Sequence, residues 1–363
     1  MITFLIFIAV LGVLVLVHEW GHFVMARKAG MRVDEFGFGF PPRLFGIKRG
    51  ETIYSINWIP FGGFVKIYGE DGDSREKPKS FGSKSISARL SVIVAGVVMN
   101  IIFAFILLVS GNIFGLRIGL FDKEMMDLAR DKKIQIVEVV VGSPAEKAGL
   151  TVLDEIIGFE INGSERVTVR NIEEIQDFTD EHKGQQIDIL IKKGKEIEVK
   201  KVMSRADPPQ GEGSMGIAMA LTGIVSYPWY ESLWRGAQDT YVIAYSTVYG
   251  YYSLIKTLLF SGKLIGEVSG PVGIATITGQ AARVGFSYLM QFVALISINL
   301  AVLNIAPFPA LDGGRAVFLV VEKLRGKPVD KRIEAAVNSV GFALLLALMI
   351  YVTFKDITKF FTV

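Results

Sequence analysis

Four apolar stretches dominate this chain of 363 residues, and each is about long enough to cross a bilayer as a helix. A helix rises about 1.5 Å per residue, so about 20 apolar residues cross the hydrocarbon core. The stretches lie at 1–26, 92–111, 286–325 and 336–355. The chain is 51% hydrophobic with a mean hydropathy of +0.42, and a soluble protein of that composition would expose aggregating patches. The sequence therefore predicts a polytopic α-helical membrane protein with four transmembrane helices.

Charge in the connecting segments predicts the orientation of the spans. Residues 26–89 carry 12 Lys and Arg against 7 Asp and Glu, residues 315–335 carry 6 against 3, and residues 112–285 carry 19 against 23. Because short basic loops stay in the cytoplasm, we expect the first and third connections to be cytoplasmic. The long segment and both termini are then expected outside. The net charge of +3 is too small for a strongly basic nucleic-acid binder.

The long outer segment contains a soluble module over 130–205. Its order is strand, short helix at Pro144, strand, helix at 169–180, and two alternating strands, which resembles a PDZ domain of the bacterial, circularly permuted type. We expect a mixed α/β fold that recognises a peptide by strand addition, with a β-rich spacer as the alternative. Residues 206–285 follow as an extracytoplasmic amphipathic connecting region.

Two of the three histidines occur in His18-Glu19-Trp20-Gly21-His22, inside the first apolar stretch. Residues four apart lie on one face of a helix, so His18 and His22 can bind one zinc ion with Glu19 as the base. Zinc in an open site lowers the pKa of water, and a carboxylate can take the proton as the water attacks a carbonyl. Ionisable groups are costly at membrane depth, which favours this role over polar residues that merely end the span.

The third zinc ligand is expected to be Asp312, which lies where the third apolar stretch is interrupted. Pro307 and Pro309 precede it and two glycines follow it, so a regular helix is excluded there. Irregular backbone at membrane depth is tolerated where it is buried in protein or lines a wet cavity. The alternative is that Asp312 caps a helix. The unfilled zinc position in the first span favours the ligand.

These features together resemble the site-2 protease family of M50-type zinc intramembrane proteases, specifically its bacterial regulator-of-sigma-E, or RseP-like, branch. The resemblance covers nearly the whole chain and rests on the histidine motif, the single PDZ-like module, and the pattern N-x-x-P-x-P-x-L-D-G from Asn304 to Gly313. The second span retains Gly96 and Asn100 of a family motif, but Val97 replaces the usual proline.

The first cytoplasmic loop, 27–89, carries further features of this family. Residues Glu35 to Gly39 resemble its glycine–phenylalanine motif, and residues 52–70 resemble its membrane re-entrant β-hairpin. By this resemblance the hairpin offers a strand edge to an unwound substrate, while a purely stabilising hairpin is the alternative. The residues expected at the edge are Gly62, Gly63, Phe64 and Val65.

The resemblance also implies the roles of the site residues. Zn²⁺ is the expected cofactor, Glu19 the catalytic base, and Asn304 a catalytic residue that hydrogen-bonds the substrate or the oxyanion. The expected metal ligands are His18, His22 and Asp312. The substrate-binding set is completed by Pro307 and Pro309 beside Asn304.

The function that the resemblance implies is zinc-dependent endoproteolysis of single-span membrane proteins, within or near the bilayer of a bacterial inner membrane. The expected active site lies toward the cytoplasm, and the expected substrates are anti-sigma factors or signal-peptide remnants. A peptide or protein ligand of the PDZ module is a further expected partner, and no nucleic acid is expected. Two alternatives are a non-proteolytic PDZ membrane adaptor with a vestigial metal site and a zinc carrier, although a carrier would need metal-binding residues in several spans.

Overall fold

A computed structural model describes residues 2–70, 77–161, 165–193, 196–261 and 270–361. Within these ranges the helices are α1 (Ile2–Lys28), α2 (Ile86–Phe114), α3 (Lys123–Leu128), α4 (Pro144–Lys147), α5 (Ile172–Glu181), α6 (Trp229–Ser261), α7 (Pro271–Val284), α8 (Phe286–Ile305), α9 (Asp312–Arg325) and α10 (Lys331–Phe361). The strands are β1 (Val33–Arg49), β2 (Thr52–Ile67), β3 (Leu116–Gly119), β4 (Arg130–Val139), β5 (Glu155–Ile161), β6 (Glu165–Thr168), β7 (Gln186–Lys193), β8 (Glu196–Met203) and β9 (Ile217–Val225).

Four of the described helices are long and apolar enough to cross a membrane, namely α1, α2, α8 and α10. This confirms the prediction of four long apolar helices, whose length and composition are compatible with membrane spans. The third apolar stretch, 286–325, is interrupted as expected, because α8 ends at Ile305 and α9 begins at Asp312. Helix α2 is continuous from Ile86 to Phe114. The helix is therefore unbroken at Val97, the position where the family motif usually has a proline.

The chain divides into two compact units, and the larger one comprises Met1–Val109, Leu233–Gly279 and Phe292–Thr362. Helices α1 and α2 approach closely in this unit because both present a glycine. A Cβ atom added to Gly21 would lie 2.3 Å from the carbonyl oxygen of Ala95, and one added to Gly96 would lie 2.5 Å from Nε2 of His22. The two spans can therefore contact each other backbone to backbone at the histidine motif.

Strands β1 and β2 form a two-stranded antiparallel sheet in the larger unit. The sequence-based hairpin at 52–70 is wrong in its pairing. The segment from Glu35 to Phe38 pairs with both halves of β2. It is antiparallel to the second half, where Phe36 pairs with Val65, and its register rises in parallel with the first half, where Phe36 pairs with Tyr54. The two arms of the expected hairpin are thus separated by the first half of β1. Gly62 has a φ of +90° and allows the turn between them.

The smaller unit comprises Ser110–Ser232 and Gln280–Gln291. Its sheet has the strand order β3-β9-β4-β5-β7-β8, with β6 paired to β5. The core includes Ile136, Phe159 and Ile175, which are fully buried and join the sheet to α5. The sequence Asn162-Gly163, which is typical of a tight turn between strands, lies outside the described residues.

The sheet extends beyond the range 130–205 predicted for the soluble module. Strand β9 lies in the segment expected to be an amphipathic connection, yet it pairs with β4 on one side and with β3 on the other. Its apolar run from Ile217 to Leu221 lacks turn residues and alternates weakly, so the pattern did not distinguish a strand from a helix. The remainder of that segment forms α6 and α7, apart from residues 262–269, which are not described.

Candidate metal centre

Three ionisable side chains from two distant parts of the chain meet in the larger unit. His18 Nε2 lies 3.0 Å from Oδ2 of Asp312, and His22 Nε2 lies 3.3 Å from the same oxygen. The two imidazole Nε2 atoms are 3.1 Å apart. Each residue therefore directs one potential ligand atom at a common point.

The spacing of these three atoms fits one zinc ion. Ligand atoms that share a tetrahedral zinc at about 2.0–2.1 Å are separated by about 3.3–3.4 Å. In the described part of the chain, no fourth His, Cys, Asp or Glu belongs to this cluster. Two nitrogens and one carboxylate oxygen with a free fourth position are the donor set of a catalytic zinc site.

Local structure explains how the ligand atoms converge. His18 and His22 are one helical turn apart on α1, so their rings lie on the same face, with centroids 4.7 Å apart. Asp312 is the first residue of α9, and the N-cap position belongs to Leu311. Its carboxylate contacts His18, so the alternative role as an N-cap is not what the structure presents.

Two glycines allow the tight turn that places Asp312. A Cβ atom on Gly313 would lie 2.1 Å from the carbonyl oxygen of Ala306, and one on Gly314 would lie 2.4 Å from that of Phe308. Ala310 adopts a φ of +72°, which is strained for a residue with a side chain. The sequence D-G-G therefore serves to fold segment 306–311 back over the start of α9.

Helix α10 holds the same segment from the other side. The Asn338 amide oxygen accepts a hydrogen bond of 3.1 Å from the backbone N–H of Ala310. A Cβ atom on Gly341 would lie 2.5 Å from the Pro309 side chain. Pro309, expected at the substrate-binding site, therefore lies against α10, while Pro307 is exposed.

The remaining predicted residues divide into those placed at the centre and those that no contact places there. A Cβ atom added to Gly63 would lie 3.6 Å from Cγ of Glu19, so this end of β2 lies beside the expected base. Asn304 is in the last turn of α8 and is partly exposed. No hydrogen bond between described residues joins Asn304 to the three ligand side chains, and its role stays a prediction.

Sequence reasoning missed two ion pairs that hold α9 in place. Arg315 donates to Glu70 at 2.7 Å, which ties the helix that begins at Asp312 to the residue three positions after β2. Arg89 of α2 makes a paired contact with Glu322 of α9 at 3.1 and 2.7 Å, and both side chains are largely buried. Charges in apolar surroundings hinted at these pairs, but sequence alone did not indicate the partners.

Comparison with known proteins finds a peptidase family and several relatives named as zinc metalloproteases. The family model described as peptidase family M50 matches residues 6–348. A putative zinc metalloprotease of Clostridium acetobutylicum is 37% identical, with 98% of this chain and 97% of the relative covered. The zinc metalloprotease RasP of Shouchella clausii is 31% identical, over 99% of this chain and 100% of the relative. The regulator of sigma-W protease RasP of Bacillus subtilis is 29% identical, over 99% of both chains.

Proposed function

This chain belongs to peptidase family M50 and is a zinc metalloprotease, and from that premise we propose that it cleaves single-span membrane proteins within or near the bilayer. The observation that carries the proposal is the convergence of His18, His22 and Asp312 on one point, with both histidines inside a helix that is apolar enough to span. A protease whose site lies on such a helix meets its substrate at or near the bilayer.

The proposed chemistry divides between the cofactor and the side chains. Bound Zn²⁺ supplies Lewis acidity, which polarises a peptide carbonyl and makes water more acidic. His18, His22 and Asp312 would hold the ion, and Glu19 would accept a proton from the attacking water and pass it to the leaving amine. Asn304 would donate its amide N–H to the substrate carbonyl oxygen as negative charge develops there.

The first test is hydrolysis of a model single-span protein by the purified chain in detergent. We expect cleavage that stops with a zinc chelator and returns when Zn²⁺ is restored. A non-proteolytic adaptor would give no product under either condition. A zinc carrier would also give no product, but it would accumulate zinc in vesicles after reconstitution. Chelator-resistant cleavage would contradict the metal mechanism.

We propose that the second half of β2 presents the strand edge that binds an unwound substrate. A transmembrane helix hides its amides, so hydrolysis requires local unwinding, and a strand edge can pair with the freed backbone. Gly63 lies close to Glu19, since a Cβ atom added to it would be 3.6 Å from Glu19 Cγ, and this supports the placement. Phe64 and Val65 continue along the same strand. The turn residue Gly62 would set where that edge begins.

Substituting Gly63 by leucine tests the strand edge. The new Cβ atom would lie 3.0 Å from the Gly37 carbonyl oxygen and 3.6 Å from Glu19 Cγ, so the side chain would crowd both β1 and the expected base. We expect kcat/KM to fall by about 100-fold through misplacement of the substrate. Zinc content should not change, because Gly63 is not a ligand. The control is Ile47→Leu, a substitution at an exposed position of strand β1. Unchanged kcat/KM in Gly63→Leu would place substrate elsewhere.

We further propose that the smaller unit lies outside the cytoplasm and contains a peptide-binding PDZ domain that restricts or docks substrates. The charge distribution of the connecting segments supports this orientation. The name of the Bacillus subtilis relative favours an anti-sigma factor as the type of substrate.

The orientation can be tested by labelling. The chain has no cysteine, so single cysteines introduced at Lys201 and at Lys327 can be labelled without background from other thiols. Only the cysteine at position 201 should react with an impermeant reagent in intact cells. Labelling of position 327 alone would show that the orientation is the opposite one.

A further inference from the structure

Helix α2 presents three positions to the metal centre at a spacing of four residues. Val92, Gly96 and Asn100 lie on one face of this helix, one turn apart. The carbonyl oxygen of Val92 is 2.8 Å from Nδ1 of His22, and the absent side chain of Gly96 leaves room for both imidazoles. Asn100 is fully buried, and its amide nitrogen is 3.5 Å from Nδ1 of His18.

His22 shows what this face does for a ligand. Its Nδ1 lies 2.8 Å from the Val92 carbonyl oxygen, and a neutral imidazole that donates from Nδ1 has an unprotonated Nε2, the nitrogen that faces Asp312. A histidine that binds metal through one ring nitrogen commonly donates a hydrogen bond from the other nitrogen, which fixes its tautomer and orientation. His18 requires an equivalent acceptor at Nδ1, since its Nε2 also points toward Asp312.

The side chain of Asn100, which lies beside Nδ1 of His18, carries an oxygen that accepts no hydrogen bond from the described residues. Its Oδ1 is buried without a hydrogen-bond partner among the described residues, whereas its amide nitrogen faces Nδ1 of His18. An amide nitrogen cannot accept the Nδ1 proton, so this arrangement does not suit zinc binding through Nε2. A 180° rotation about the terminal torsion exchanges oxygen and nitrogen and leaves the shape of the side chain unchanged. The exchange puts the unused oxygen opposite Nδ1.

We propose that Asn100 is the positioning residue for His18, and that its side-chain oxygen accepts the Nδ1 proton of His18 in the zinc-loaded protein. The inference rests on the proposed function, because it takes His18 and His22 as zinc ligands. Helix α2 would then supply both orienting acceptors, a backbone carbonyl for His22 and an amide oxygen for His18. Gly96 between them keeps this face of the helix open to the rings.

The experiment compares zinc affinity and the cobalt absorption spectrum of the full-length protein in detergent. Asn100→Leu removes the acceptor and keeps the branched shape of the side chain, so we expect zinc affinity to fall about 10–100-fold. Asn100→Asp keeps an oxygen toward His18 and loses the NH2, so affinity should equal or exceed that of the wild type. The visible bands of bound Co²⁺ should shift in Asn100→Leu and stay close to wild type in Asn100→Asp.

Ser297→Ala is the matched control. Ser297 is also fully buried and donates to the backbone carbonyl of Asn100 at 2.8 Å, but it is not bonded to either histidine. Its replacement removes a buried hydrogen bond to the same residue without touching Nδ1, so we expect unchanged zinc affinity. An equal loss of affinity in Ser297→Ala and Asn100→Leu would indicate general packing and overturn the proposal.

Other outcomes also decide the question. Wild-type affinity in Asn100→Leu would overturn the role of Asn100, as would a loss in Asn100→Asp as large as in Asn100→Leu. If Asn100→Leu does not fold, Asn100→Ala, which also removes the acceptor, takes its place in the comparison. A wild-type protein that binds zinc without cleaving substrate would contradict the proposed function only. A wild-type protein that binds no zinc would contradict both.

Discussion

Replacing Glu19 by glutamine is expected to abolish detectable proteolysis while zinc binding stays intact. Glutamine has nearly the same shape but cannot accept a proton, and general base catalysis contributes about 10²–10⁴-fold to rate. Glu19 lies between His18 and His22 in sequence but is not one of the three side chains that converge. The substitution should therefore separate the base from the metal site.

Two measurements on one preparation check this expectation. Substrate cleavage is followed with time, and zinc per protein is measured by elemental analysis after dialysis. Glu51→Gln is a suitable control, because Glu51 is exposed and pairs with Lys79 away from the histidines. Wild-type turnover in Glu19→Gln would remove Glu19 as the base, while loss of zinc in the same variant would instead make it part of the metal site.

The convergence of His18, His22 and Asp312 was predictable from sequence because the first half of this cluster is local. A four-residue spacing on a helix puts His18 and His22 on one face whatever the rest of the fold does. Asp312 is 294 residues from His18, and no local rule joins them. It could be predicted because the prolines and glycines around it break a span, and a broken span at membrane depth suggests a site.

The pairing of the small sheet could not be predicted in the same way. The sequence from Thr52 to Glu70 contains two strand-like runs around a glycine turn, which is the local signature of a hairpin. The structure instead inserts the segment from Glu35 to Phe38 between the two runs. Local patterns report which segments are extended, but they do not report which strand is the neighbour.

Polar contacts between elements far apart in sequence were the least predictable feature of the site. The pairs Arg315–Glu70 and Arg89–Glu322 and the environment of Asn100 depend on which helices are adjacent. Asn100 was visible in the sequence only as part of a motif. A hydrogen-bond partner for its side-chain oxygen can be inferred only from the structure, which shows α2 beside His18. A buried polar group without a partner is costly, so the oxygen is expected to have one.

Asp312→Asn is expected to lower bound zinc from about one ion per chain to far below that value and to stop cleavage. Asparagine keeps the size of the side chain, but a neutral amide oxygen is a poor zinc ligand compared with a carboxylate, histidine or thiolate. The neighbouring Gly313 and Gly314 and the backbone of segment 306–311 are unaffected by this change, so the fold of the site should persist.

Asp330→Asn makes the comparison specific, since it is the same chemical change at the start of another helix. Asp330 Oδ1 accepts a 2.8 Å hydrogen bond from the backbone N–H of Arg332 and contacts neither histidine. Asparagine caps a helix about as well as aspartate, so this change should leave helix stability, zinc content and cleavage nearly unchanged. Equal zinc content in Asp312→Asn and wild type would exclude Asp312 as a ligand, and would return the carboxylate to a structural role as a hydrogen-bond acceptor for His18. Loss of zinc in Asp312→Asn alone would mean that the two histidines on α1 do not retain the ion, and that α9 completes the site.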